Sequence, residues 1–83
     1  MVKVLITGGA GFIPSSLAEK LLSFPEYEIV MVDNLVTGKM ENVPIHPKCT
    51  FIKADVNNYK EIGAIMTAHR FQYVFHYAAL VGV

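Results

Sequence analysis

Three glycines, Gly8, Gly9 and Gly11, fall within four residues, and two acids, Asp33 and Asp55, stand further along the chain. A glycine-rich turn at the mouth of a helix can bring backbone N–H groups and the positive end of a helix dipole to a phosphate. Glycine serves there because φ must be positive, or because a side chain would hold the backbone away from a diphosphate. Helix-end electrostatics contribute only about 0.3–2 kcal/mol, so such a loop binds an anion by several small contacts. A carboxylate about 20 residues beyond the turn is the group that hydrogen-bonds an adjacent ribose. Asp33 follows Pro14 by 19 residues. It would accept from 2′- and 3′-hydroxyls and repel a 2′-phosphate, which favours NAD over NADP.

The elements that must position these groups follow from hydropathy. Residues 2–7 are a continuous apolar run with β-branched residues, which predicts a strand buried on both faces. From Phe12 to Phe24, Ile13, Leu17, Leu21 and Phe24 recur at helical spacing beside Ala18 and Leu22, and Pro25 ends the run. Residues 28–33 predict a second buried strand ending on Asp33. Residues 34–48 are polar and carry Gly38, Pro44 and Pro47, a long loop with one helical turn near Met40–Val43. Residues 50–55 predict a third strand closed by Asp55. Asn58 and Glu61 form a capping-box-like start to a second helix bearing Ile62, Ile65, Met66 and His69 on one side. Residues 72–77 predict a fourth strand. His76 on it reads as a core histidine with a hydrogen-bond partner and Cys49 as a packing residue.

Right-handed crossovers turn this β-α-β-loop-β-α-β order into a parallel sheet in spatial order 3-2-1-4 with helices on both faces. That is an α/β fold, half of a doubly wound (Rossmann) domain, with residues 1–83 as the N-terminal portion and no second domain. Both acids then reach the carboxyl edge, where open parallel sheets bind ligands.

The 83 residues hold seven Lys and Arg against seven Asp and Glu, which offers no charge argument for nucleic acid or a membrane surface. The single cysteine excludes an internal disulfide. The start reads as a strand and not as a signal peptide, and no apolar run approaches the ~20 residues of a membrane span. A cytoplasmic protein is expected. His46 and His69 read as loop and helix-end residues, and with no Cys/His cluster no metal site is expected.

The stretches Thr7-Gly8-Gly9-Ala10-Gly11-Phe12-Ile13, Val32-Asp33-Asn34-Leu35-Val36-Thr37-Gly38-Lys39-Met40-Glu41-Asn42-Val43, Asp55-Val56 and residues 74–83 resemble the extended short-chain dehydrogenases/reductases. Within them the likeness is to the NAD-dependent nucleotide-sugar epimerases and dehydratases. The resemblance implies that Gly8, Gly11, Phe12 and Ile13 line the pyrophosphate of NAD. Asp33, Asn34 and Leu35, with Thr37 and Gly38, would hold the adenosine ribose, and Asp55 and Val56 would flank the adenine. Tyr77, Ala78, Ala79 and Leu80 would run towards the nicotinamide.

Two departures from the family pattern stand out. Pro14 occupies the place of the third glycine, which lets helix and strand pack closely. Its ring is expected to push them apart, to bias Ile13 away from helical geometry, and to leave a formed but loosened turn. The second departure concerns the family's Tyr-x-x-x-Lys pair: Tyr27, Tyr59 and Tyr73 are followed four residues on by Met31, Gly63 and Tyr77. The resemblance thus implies cofactor binding without the catalytic pair, with a nucleotide sugar as partner only if the rest of a domain is supplied. A non-catalytic dinucleotide-binding module, or the remnant of a truncated gene, is the alternative. Self-association through residues 72–77 or 78–83 is expected from the unpaired edge of the fourth strand.

Overall fold

Alternation along two central strands sets the architecture. The computed structural model describes residues 1–8, 10–35 and 38–77. Strands β1 (Val2–Thr7) and β2 (Tyr27–Asp33) are the most deeply buried elements, Val4 to Thr7 being exposed by 2% or less. Successive residues point to opposite faces. Val4, Ile6, Ile29 and Met31 therefore form one apolar cluster, and Leu5, Val30 and Val32 join another on the far side.

Each cluster is covered by a helix. Helix α1 (Phe12–Leu22) places Ala18 in the first cluster, with Leu17 and Leu21 packed against it. Helix α2 (Tyr59–Ala68) places Ile65 in the second. With β3 (Cys49–Lys53) and β4 (Tyr73–His76) the sheet is parallel throughout and ordered β3-β2-β1-β4, so it has helices on both faces as the sequence predicts.

The boundaries differ from expectation in ways that have local causes. Helix α1 stops at Leu22 and not at Phe24. The amides of Ser23 and Phe24 turn back to the carbonyls of Lys20 and Leu21, tightening the last turn before Pro25. Strand β3 ends at Lys53, so Asp55 does not close it. The Asp55 carboxylate accepts from the amide of Asn57 at 2.9 Å and its carbonyl from that of Asn58 at 3.0 Å, a side-chain-stabilised turn that ends the ladder. Asn58 caps α2 as expected, accepting from the amides of Lys60 and Glu61. His69 is the helix-end residue expected, though it does not continue the apolar side of α2. It ends the helix in extended geometry, its ring stacked on Phe71. Met66 is nearly half exposed.

His76 has the hydrogen-bond partner expected of it but does not lie in the core. It is exposed, and its Nδ1 is hydrogen-bonded to Thr7 Oγ1 at 2.7 Å, joining the paired ends of β4 and β1. Cys49 does pack: its Sγ donates to Met31 Sδ at 3.4 Å, and burial pushes its thiol pKa up. The helical turn expected near Met40–Val43 is a 3-10 turn over Met40–Asn42, with Val43 buried beside β2.

Candidate functional site: a cleft at the carboxyl edge of the sheet

The turn between β1 and α1 is closed by its own amides. Gly8 has φ 71°, the left-handed region that favours glycine. Its amide donates to the carbonyl of Val32 at 2.7 Å, and that of Gly11 to the carbonyl of Gly8 at 3.0 Å. The amide of Ala10 donates to Asp33 Oδ2 at 2.9 Å. Gly11 is the N-cap of α1, with no side-chain cap. The first amides of an α-helix have no intrahelical acceptor, which points to Phe12 and Ile13 as the donors at this end. Pro14, third in the helix, has no amide hydrogen.

Asp33 ends β2 with both carboxylate oxygens engaged. Oδ2 takes the amide of Ala10, and Oδ1 that of Leu35 at 2.8 Å. Leu35 has φ 65°, a conformation that costs a non-glycine residue about 1–3 kcal/mol. The bond to Asp33 fixes it there. Gly38 closes against the same carboxylate. A Cβ at residue 38 would lie 2.6 Å from Asp33 Oδ2 and 2.7 Å from Ala10 Cβ, distances that no side chain tolerates. A carboxylate offers about four acceptor directions, so Asp33 keeps two beyond the two amides it holds.

These groups border a cleft of about 390 Å³ at the carboxyl ends of the strands, within the ~300–1,000 Å³ of small-molecule sites. The structure brings Gly8, Gly11, Phe12, Ile13, Asp33, Asn34, Asp55 and Val56 to its walls, with Gly38 and Tyr77. Although Asp55 lies beyond β3 and not at its end, the turn it stabilises carries it to the rim. Leu35 does not line the cleft: its side chain packs on the cluster beneath α1, and its amide serves Asp33. Ala78, Ala79 and Leu80, like Gly9 and Thr37, lie outside the described residues.

Reasoning from the sequence missed Asn42 and Asn57. Asn57 lines the cleft. Asn42 Nδ2 donates to the carbonyl of Ala10 at 3.0 Å, beside the amide of Lys39, which donates to the same carbonyl at 3.0 Å. The signal available was only that Asn42 follows Gly38 by one helical turn.

The loosening expected from Pro14 is not found. The ring is buried, Ile13 is helical, and Ala18 is fully buried one turn further on. Proline in a first turn forfeits no intrahelical bond, and Gly11 makes the room. A Cβ on Gly11 would lie 3.3 Å from Pro14 Cγ and 3.3 Å from the carbonyl oxygen of Gly8.

Among the described residues no group of His, Cys, Asp and Glu could hold a metal ion, and no helix is long and apolar enough to cross a membrane.

Comparison with known proteins places this architecture. Residues 4–83 match the model of the NAD dependent epimerase/dehydratase family. A UDP-glucose 4-epimerase of Klebsiella pneumoniae is 34% identical over 87 residues, which cover 99% of this chain and 62% of that protein. The crystal structure of the Thermus thermophilus UDP-glucose 4-epimerase in complex with NAD matches with a TM-score of 0.84 and 39% identity, over 96% of this chain and 25% of that one. The Bordetella bronchiseptica enzyme WbmH in complex with NAD+ matches with a TM-score of 0.90 and 33% identity, over 99% of this chain and 27% of that one. The chain thus spans about a quarter of the length of these two solved relatives.

Proposed function

Given that the chain belongs to the NAD dependent epimerase/dehydratase family, we propose that its cleft holds the ADP half of NAD, as the cofactor-binding part of an enzyme acting on a nucleotide sugar. The observation that carries this reading is the Asp33 carboxylate, fixed by two amides at the cleft wall with acceptor capacity left over. It would take the hydroxyls of the adenosine ribose, with Asn34 beside it. Gly8 and Gly11 would let the diphosphate approach, and the amides of Phe12 and Ile13 would meet it at the positive end of α1. Asp55 and Val56 would flank the adenine, and Ala78, Ala79 and Leu80 would continue towards the nicotinamide.

The cleft fits this half of the cofactor on its own chemistry: a glycine-lined helix mouth on one wall and a preset carboxylate on the next. NAD, when bound, supplies a hydride acceptor. The residues of this chain bind and orient it. None of Tyr27, Tyr59 and Tyr73 has a lysine four residues on, so the proton-transferring pair of the reaction lies outside these elements on this reading.

Calorimetry with NAD, ADP and NADP tests the proposal. NAD and ADP should bind with comparable affinity and NADP more weakly, since its 2′-phosphate would face Asp33. Absence of binding by both NAD and ADP, or preference for NADP, would overturn it. A variant adds a directional check. Pro14→Gly restores one amide to the helix mouth and should tighten ADP binding by up to about tenfold, the worth of one such hydrogen bond. It should also lower the melting temperature, because the buried ring is lost and glycine inside a helix costs about 1 kcal/mol. Unchanged ADP affinity in a folded Pro14→Gly chain would show that the amide of residue 14 does not face the phosphates.

A further inference from the structure

We propose that Asn42 is a positioning residue for the diphosphate-binding turn, acting through the carbonyl of Ala10. The inference rests on the reading of the cleft as an ADP site and adds to it a residue outside the cleft. Ala10, Lys39 and Asn42 do not line the cleft, yet they decide how its glycine-rich wall is held.

The peptide group between Ala10 and Gly11 is fixed at both ends. Its N–H, on Gly11, donates to the carbonyl of Gly8 at 3.0 Å, and its carbonyl accepts from Lys39 N and Asn42 Nδ2, each at 3.0 Å. The amide of Ala10 is held as well, by Asp33. The two donors to Ala10 come from one rigid piece, because the amide of Asn42 bonds the carbonyl of Lys39 at 2.9 Å and closes the 3-10 turn. Gly38 brings that piece flush with the turn: a Cβ there would lie 3.0 Å from the carbonyl carbon of Ala10.

The orientation of this peptide matters for an anion. A carbonyl turned towards the cleft would set its lone pairs against phosphate oxygens, and the helix that starts one residue later would lose its aim. Two donors hold the Ala10 carbonyl in one direction before ligand arrives, and Ala10 does not line the cleft. Binding then requires no reordering of the turn, and pre-organisation of this kind raises affinity without a new contact. Asn42 is suited to the role because its amide donates. Aspartate has the same shape and can only accept, so it would oppose the carbonyl.

The test uses the chain with Asn42→Ala and Asn42→Asp, titrated by NMR with adenosine, AMP and ADP at a temperature where melts show each variant folded. Asn42→Ala should weaken ADP by about threefold to tenfold, the worth of one neutral hydrogen bond, and leave adenosine within a factor of two. Asn42→Asp should weaken ADP further while again sparing adenosine. Equal losses for adenosine and ADP would show a merely structural role and overturn the inference, as would ADP binding unchanged in both variants. Failure of the wild-type chain to bind ADP overturns the cleft reading itself and this inference with it, a result distinct from the other two.

Discussion

Asp33→Ala should weaken NAD and ADP binding by a hundredfold or more while leaving NADP affinity unchanged or improved. Hydrogen bonds to a charged group contribute about 1.5–3 kcal/mol each, and two ribose hydroxyls would be lost together. NADP has only its 3′-hydroxyl contact with the carboxylate to lose, and that loss is offset because its 2′-phosphate is relieved of a like charge. The variant should also melt lower. The amides of Ala10 and Leu35 lose their acceptor, and each costs about 1–3 kcal/mol if left unsatisfied. The loop beyond β2 loses the bond that holds Leu35 at φ 65°. Calorimetry with the three nucleotides, paired with a thermal melt, checks both effects. NAD affinity within twofold of wild type would remove Asp33 from the ribose.

The second large effect is expected at a residue with no side chain. Gly38→Ala forces a methyl to within 2.6 Å of Asp33 Oδ2, 2.7 Å of Ala10 Cβ and 3.0 Å of the Ala10 carbonyl carbon. The last two neighbours belong to a buried residue of the turn, so no flexible side chain can give way on that side. Overpacking of this kind costs about 1–3 kcal/mol. Relief by lifting the loop would break the bonds from Lys39 and Asn42 to Ala10, and relief by moving the carboxylate would spoil its aim. ADP affinity should fall by about tenfold or more, given two or more hydrogen bonds at stake. Combined with Asp33→Ala the loss should be less than additive, since the two residues share one contact. Full additivity in calorimetry of the double variant would show that Gly38 and Asp33 act independently.

Asp33 serves both as the proposed ligand group and as the pin between β2 and the glycine turn, since its oxygens hold Ala10 and Leu35. Gly38, which closes against the carboxylate, and Asn42, which bonds the carbonyl of Ala10, are separated from the turn by about thirty positions in the chain. On the proposed reading, the helix mouth is therefore positioned partly by the loop that leads away from Asp33 at the same cleft.

Much of this was legible in residue order alone. The apolar runs at 2–7 and 28–33 and the helical spacing of Leu17, Ala18 and Leu21 are local patterns, and burial follows them because strand and helix geometry fix which side chains share a face. The sheet order followed as well, because the handedness of crossover connections leaves little choice. Glycines followed by an acid marked the cleft, and Gly8, Gly11 and Asp33 do line it, Gly8 at a positive φ.

Tertiary structure decided the rest. Nothing in the spacing says that the amide of Gly8 is taken by Val32 on β2 and that of Gly11 within the turn, or that Asp55 leaves its strand to stabilise a turn. Nor does it say that His76 meets Thr7 at an exposed strand end, or that Pro14 finds room beside Gly11. The docking of Gly38, Lys39 and Asn42 on Ala10 was likewise unreadable. Hydrogen-bond partners and close approaches between distant segments depend on where the packed elements bring each loop, and a pattern along the chain carries no record of that position until the sheet and its two helices have formed.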